Sequence, residues 1–520
     1  NGEAPNDSIL YKNLNIHYYD KLQVRPNMLY RWMNYQQFVR SKQMRASNRT
    51  RLYSQYRQEQ VQEKLSQLGI FSYMDMQYAP RDTTAACDTL DVTMQATFAK
   101  PLDAELELNV VTKSNDQTGP GASFGVTRNN VFGGGESWNV KLKGSYEWQT
   151  GGGEKSSLMN SWEMGLSTSL TFPRVVFPHL GKREFDFPAT TTFRLYINQL
   201  NRAKYYKLLS FGGNATYDFQ PSRTSRHSIT PFKLTFNVLQ HQSEDFKEIA
   251  EANPALYVSL RNQFIPAMEY TYTYDNASGR RIKNPIWWQS TVTSAGNITS
   301  LIYRAFGKPF NEEDKSLLGA PFAQFVKLNT ELRHLWNIDK NNAIASRMAV
   351  GALFTYGNAT IAPYSEQFYV GGANSIRAFT VRSVGPGGYH PEEGKYSYLD
   401  QTGTFRFEAN VEYRFRIFKS FWGATFLDAG NVWLLRKDRK LLADGKEARP
   451  NSQLRLKTFP KQIALGTGVG IRYDMDILVF RLDFGIPLHL PYDTDRSGYY
   501  NVTGAFFKNL GIHFAIGYPF

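Results

Sequence analysis

The sequence predicts a mainly β protein: a sixteen-strand transmembrane β-barrel over residues 101–520, preceded by a smaller α+β module over residues 1–100. Three observations predict it. The apolar periodicity switches from helical to two-residue at Lys100. The connections between successive alternating runs are long and short by turns, as in outer-membrane barrels. The last run, Gly511–Phe520, is amphipathic and stops on an aromatic.

Composition is compatible with this class. Aromatic residues make up 15% of the 520 residues, alongside 40 Gly, a usage common in large antiparallel β structures. No stretch approaches 18 consecutive apolar residues, so no transmembrane helix is expected. A mean hydropathy of −0.45 suits a barrel, because only alternate residues meet lipid. The single cysteine, Cys87, excludes a disulfide framework within one chain. The chain opens at Asn1 without a basic or apolar leader, so any signal peptide is expected to lie outside it. A net charge of +14 raises nucleic acid as a partner. The Lys and Arg are spread along the chain rather than clustered, so no nucleic-acid partner is expected. Anionic lipid headgroups or a cationic lumen account for the charge equally well.

Residues 1–100 contain only Gly2 and Gly69. Leu14–Tyr19 reads as a strand, and the sequence around Met28–Phe38 is compatible with a helix. A longer helix over Arg51–Leu68 places Leu52, Tyr56, Val61, Leu65 and Leu68 near one face. Gly69 stands where a helix C-terminal glycine belongs. Two alternating runs follow, Phe71–Tyr78 and Thr89–Phe98. The order is β-α-α-β-β.

After Lys100, Leu106, Leu108 and Val110 alternate with Glu105, Glu107 and Asn109. Trp138, Val140, Leu142, Tyr146 and Trp148 share a face of the third such run. Sixteen strands are expected, starting near 103, 121, 138, 158, 190, 205, 227, 261, 287, 321, 342, 404, 421, 462, 477 and 510. Long connections near 241–260, 301–320, 359–403, 435–461 and 489–509 all follow odd-numbered strands. Lys419–Ser420 and Met475–Asp476 follow even-numbered ones and are tight. The stretch 173–189 is the exception, long where a short turn is expected. A soluble sandwich or a propeller is the alternative, but no blade-length repeat is present.

Residues 369–389, YVGGANSIRAFTVRSVGPGGY, form a Gly-rich loop that places an arginine, Arg377, between apolar Ile376 and Phe379. Residues 426–433, FLDAGNVW, place one acid, Asp428, in an otherwise apolar and small-residue strand. Lone charges in such settings suggest burial with a partner, since an unpaired buried charge costs several kcal/mol or more. The alternative is a surface loop and an ordinary strand. In the terminal run, Ile512, Phe514, Ile516, Tyr518 and Phe520 form an apolar face suited to lipid. His513, Ala515, Gly517 and Pro519 form the opposite, small or polar face. Gly121–Gly125, GASFG, matches the serine-hydrolase elbow in letters only, because Ser123 continues into a strand. Gly466–Gly470, GTGVG, lacks the dinucleotide spacing. The eight histidines show no metal-ligand spacing. No catalytic residue, cofactor or metal is therefore expected, and the chain is not read as an enzyme.

With these segments in hand, the chain resembles the BamA/TamA superfamily of outer-membrane assembly proteins, which carry periplasmic POTRA modules of β-α-α-β-β order ahead of a sixteen-strand barrel. Ile376-Arg377-Ala378-Phe379 corresponds to the family's loop-six motif Val-Arg-Gly-Phe/Tyr. Phe426–Trp433 corresponds to its Asp-Ala-Gly-Trp strand motif, and Glu412 to the acid on the preceding strand. The wording of residues 371–389 is closer to the TamA-like branch of Bacteroidetes. Two features depart from the pattern: Ala378 stands where glycine is usual, and only one POTRA is visible.

The resemblance implies that loop six enters the lumen and that Arg377 pairs with Glu412 and Asp428. It implies that strand one, with Leu106, Leu108 and Val110, closes on strand sixteen, with Phe514, Gly517, Pro519 and Phe520. Pro519 cannot donate a ladder bond and Gly517 packs poorly, so that seam is expected to be weak. The implied function is outer-membrane protein assembly, insertion or translocation in a Gram-negative bacterium, with the POTRA in the periplasm. The implied partners are outer-membrane lipid, nascent β-barrel or secreted client proteins, and accessory subunits. A two-partner-secretion pore or a passive transport barrel is the alternative. A porin needs neither POTRA nor loop-six arginine.

Overall fold

Alternation along each strand separates a lipid-suited outer surface from a polar interior. A computed structural model describes residues 5–520 apart from 34–54, 83, 85–86, 88–89, 113–116, 150–160, 177–188, 203–205, 245–246, 248–261, 279–281, 313–314, 318, 359–361, 392–400, 438–446, 448 and 476–477.

The N-terminal region holds β1 (Asp7–Tyr11), β2 (Leu14–Tyr18), α1 (Pro26–Met33), α2 (Gln55–Gln67), β3 (Phe71–Pro80) and β4 (Leu90–Phe98). The strand over Leu14–Tyr19 is β2, but a further strand, β1, precedes it. Residues 34–38 and 51–54 of the expected helices lie outside the described residues. Gly69, at φ 64°, ends α2 as a C-terminal glycine does. Among the described residues the strands form two separate hairpins, β1–β2 and β3–β4, rather than one sheet. Small apolar clusters join hairpins to helices. One contains Val24, Met28, Leu29 and Ile70, the other Val61, Leu65 and Met76.

From Leu102 the chain forms one sixteen-stranded antiparallel sheet in sequence order. Its strands are β5 (Leu102–Thr112), β6 (Gln117–Asn129), β7 (Ser137–Gln149), β8 (Ser161–Phe172), β9 (Ala189–Arg202) and β10 (Tyr206–Phe219). These continue as β11 (Ser225–Gln242), β12 (Gln263–Asp275) and β13 (Ile286–Ala295). After α3 (Asn297–Ala305) and a two-residue ladder of β14 (Ser316–Leu317) with β15 (Ala320–Pro321), the sheet resumes. It runs through β16 (Phe325–Asn337), β17 (Asn342–Thr355), β18 (Phe405–Phe418), β19 (Phe421–Trp433), β20 (Ala464–Asp474), β21 (Val479–His489) and β22 (Gly511–Ile516). All sixteen expected strands are present. Leu106, Leu142, Leu166, Leu195, Leu234, Val469 and Ile471 are large apolar side chains that the sheet leaves exposed at alternating positions. A band of this kind is stable only against lipid.

The turn between β6 and β7 touches the N-terminal region. Arg25 N donates to Gly133 O at 2.7 Å and Asn130 Nδ2 donates to Gln23 O at 2.7 Å. Residues 130–136 form the turn between β6 and β7, at the same end of the sheet as the tight turn Lys419–Ser420. The N-terminal module therefore docks at the short-turn end.

The last strand departs from expectation. It ends at Ile516 rather than running to Phe520. Gly517 takes φ 86°, and its N–H donates to Val479 O at 2.7 Å. This left-handed residue turns the chain off the strand, so Phe520 does not join the lipid face. Its ring lies 5.8 Å from Arg414 Cζ and 6.0 Å from Arg377 Cζ. The expected shortened ladder between first and last strands is absent: among the described residues none joins β5 to β22. A six-residue β22 cannot span the eleven residues of β5.

Mid-strand Leu195 is 64% exposed on the apolar face of β9. Leu195→Arg should destabilise the lipid-inserted barrel by about 2–4 kcal/mol. Equilibrium folding into vesicles, with gel mobility of unheated samples as readout, measures this. An unchanged folding midpoint would contradict a lipid-facing Leu195.

Candidate functional site

The connection between β17 and β18 turns into the barrel. Its apolar residues join the largest buried apolar cluster among the described residues. Val370, Ile376, Ala378, Phe379 and Val384 pack with Ile265, Phe325, Leu353, Val432 and Ala464 of the wall. The wall contributes inward apolar side chains of its own, and the loop completes the cluster.

Arg377 stands at the tip and is 0% exposed. Its Nε and Nη2 donate to Asp428 Oδ2 and Oδ1 at 2.8 and 2.9 Å, a bidentate pair. Its backbone N–H donates to Asp428 Oδ2 at 3.0 Å. Nη1 donates to Glu412 Oε2, and Asp483 Oδ2 lies 3.8 Å from Nη1. The guanidinium also covers the Phe426 ring at 3.6 Å. Glu412 and Asp428 are themselves 0% exposed, so the three charges are interdependent.

Sequence reasoning missed much of the network. Glu412 also accepts from Arg414 Nε at 2.7 Å and Arg472 Nη2 at 3.0 Å. Arg472 Nη1 lies 2.6 Å from Asp483 Oδ1, and Arg481 Nη2 donates to Asn374 Oδ1 at 2.7 Å. Glu408 accepts from Ser375 Oγ at 2.6 Å and from Arg347 Nη1 at 3.1 Å. Asn410 Nδ2 donates to Asp428 Oδ1 at 2.9 Å. Glu408, Asn410 and Glu412 share the inner face of β18, a two-residue spacing that could have flagged them together.

The glycines of GTGVG acquire a role here. A Cβ on Gly466 would lie 2.3 Å from Ala378 Cβ. One on Gly468 would lie 2.4 Å from Phe426 Cζ, and one on Gly470 would lie 2.1 Å from Asp483 Oδ1. Alternate inward positions of β20 are thus kept empty for the loop tip, the stacking ring and the ion pair. This also accounts for Ala378. Its φ is not among the positive ones, so its methyl group needs no strained backbone, and Gly466 leaves room for it.

The second half of FLDAGNVW pins the returning arm of the loop. Asn431 Nδ2 donates to Gly387 O at 2.9 Å, while Trp433 Nε1 donates to Gln462 Oε1 of the β19–β20 connection at 2.9 Å. The seam residues lie elsewhere. Leu106, Leu108 and Phe514 are 67%, 76% and 66% exposed on the outer surface. The backbone of Val110 pairs with Pro120, while its side chain lies outside the described residues. Pro519 is buried. Ser123, mid-strand in β6, donates from Oγ to Glu107 Oε2 at 3.1 Å. A cavity of about 640 Å³ remains in the lumen, with Lys233, Glu269, Lys327 and Glu366 in its lining. The arrangement holds a loop in one position by ionic and steric fit.

Two outcomes follow from this geometry. Arg377→Ala should strand Asp428 and Glu412 and cost about 3–5 kcal/mol, read as a lower unfolding temperature of the barrel. Arg377→Lys should recover little, because an ammonium cannot pair bidentately. Unchanged melting of Arg377→Ala would contradict the assignment. A Cβ on Gly485 would lie 2.7 Å from Arg377 O, whereas Gly144 has open space. Gly485→Ala should therefore loosen loop six at about 1–3 kcal/mol, and Gly144→Ala should not. Limited proteolysis of the loop measures the difference.

Comparison with known proteins accords with this architecture. BamA from Haemophilus ducreyi, in a structure lacking POTRA domains 1–3, superposes at a TM-score of 0.58 and 13% identity, over 95% of this chain and 81% of that one. CdiB from Acinetobacter baumannii gives a TM-score of 0.47 at 12% identity, over 92% of this chain and 71% of that one. Residues 130–520 match the Omp85 superfamily domain. With that match covering most of the chain, the protein belongs to the Omp85 superfamily.

Proposed function

We propose that this chain inserts or translocates client proteins at the Gram-negative outer membrane through a lateral opening between β5 and β22. The observation that carries the reading is the missing ladder between these strands in an otherwise continuous sixteen-strand sheet. An open edge strand presents unpaired N–H and C=O groups, which is a template for an incoming strand. Each ladder bond contributes about 0.5–1.5 kcal/mol net, so a client strand pairing with several residues of β5 gains a few kcal/mol. The reaction is one of binding, and we assign no catalytic group to it.

The N-terminal module acts as the POTRA of this reading, at the periplasmic end. Its contacts at the short-turn end of the barrel favour that orientation, because short turns face the periplasm in outer-membrane barrels. Among the described residues each of its two hairpins lacks a further ladder partner, which leaves edges on which a client could first pair. Client proteins and outer-membrane lipid are the partners this requires.

Cysteines replacing Leu108 and Phe514, in a Cys87→Ser background and joined by a bismaleimide, should abolish client insertion by locking the opening. Full activity of a verified crosslinked protein would refute the lateral route. Depletion in cells separates the remaining readings. A broad fall of the outer-membrane proteome supports assembly, and loss of one secreted protein supports a dedicated secretion pore.

A further inference from the structure

The last strand is weakly held by its neighbours. Six register pairs join β21 to β22, against ten between β20 and β21. Its outer edge has no ladder partner among the described residues. One inward side chain of β22 meets the loop instead: His513 Nε2 lies 2.7 Å from the carbonyl oxygen of Arg377. A carbonyl only accepts, so Nε2 carries the hydrogen.

The peptide of Arg377 is thereby held from two sides. Its N–H is bound by Asp428 of β19, and its carbonyl by His513 of β22. Its guanidinium meets Glu412 of β18 and Asp483 of β21. Glycines make this approach possible, since a Cβ on Gly485 or Gly511 would lie 2.7 or 3.3 Å from Arg377 O. Beyond β22, Arg414 faces the Tyr518 ring at 4.2 Å and lies 3.4 Å from Phe520 O. The free strand is therefore tied to the same network that holds the loop.

We propose that His513 is a positioning residue that couples loop six to the closing strand, so that withdrawal of Arg377 and release of β22 are one event. This rests on the lateral opening proposed above. A loop that left the wall would take the Arg377 carbonyl with it. β22 would then keep its short ladder to β21 and lose a tether on its inner face. Conversely, a β22 that swung outward would pull His513 from the carbonyl and weaken the seat of Arg377.

The test uses the full-length protein in lipid nanodiscs, without client, with Cys87→Ser and spin labels at cysteines replacing Leu106 and Ile512. Both positions are exposed on the outer face and take no part in the Arg377 network. Pulsed electron paramagnetic resonance reads the ratio of long to short distances across the seam. His513→Ala should raise that ratio roughly five-fold, the scale of one lost hydrogen bond. Arg377→Ala should raise it at least as much, and the double variant should show no further rise beyond Arg377→Ala. His513→Gln, whose amide can still donate, should keep the unmutated distribution. An unchanged distribution in His513→Ala, independent addition of the two effects, or a seam as loose in His513→Gln as in His513→Ala would overturn the coupling. If His513→Ala does not fold, His513→Met against His513→Gln makes the same comparison. Because no client is present, coupling without client insertion in cells would overturn only the proposed function. Insertion without coupling would overturn only this inference.

Discussion

A buried guanidinium governs the interior of this protein. Arg377 carries a permanent charge at a fully buried position, and the surrounding side chains answer to it. Asp428 takes it bidentately, Glu412 and Asp483 complete the field, and Phe426 offers a ring face. Glu412 in turn requires Arg414 and Arg472, so the demand for compensation spreads over four neighbouring strands. Buried ion pairs of this sort add little net stability compared with apolar packing, because each ion must first be stripped of water. What they supply is geometry. A loop held by a planar fork and several oriented carboxylates has one seat, and moving it exposes every charge at once.

The barrel inverts the usual relation between core and surface. Its apolar residues look outward, and its walls present hydroxyls, amides and charges to the lumen. Loop six offsets that inversion locally, by packing Ile376, Ala378 and Phe379 against inward apolar residues of the wall such as Ile265, Phe325 and Leu353. The loop is thus both the ligand of the ionic network and the filler of the apolar gap. Removing it disturbs polar and apolar terms together.

Much of this was legible in the sequence because the relevant signals are local. Period two marks strands one at a time, and an isolated Arg377 or Asp428 is conspicuous among apolar neighbours. Arg472, Arg481 and Asp483 were not legible. They sit in ordinary alternation, where an inward charge looks like any lumen residue. The GTGVG glycines could be excluded as a nucleotide motif, but their purpose depends on what faces them across the sheet. A weak seam was legible at Gly517 and Pro519, but not that β5 and β22 would lack a ladder altogether. That absence depends on a turn at Gly517, where glycine alone gives no direction, and on the meeting of strands from opposite ends of the barrel. The division of the N-terminal strands into two hairpins has the same origin, since strand partnership is a property of the fold and not of any one run.

The layout of the ionic network bears on the order in which the protein itself is made. Arg377 finds Glu412 and Asp428 only 35 and 51 residues further along, whereas β5 and β22 stand at opposite ends of the barrel sequence. Loop-closure entropy grows with the logarithm of separation, so the distant closure carries roughly 2 kcal/mol more than the near one. Contacts of short range also form faster. The C-terminal strands with their inserted loop can therefore assemble as a nucleus before the first strands arrive, and the approach of β5 to β22 comes last.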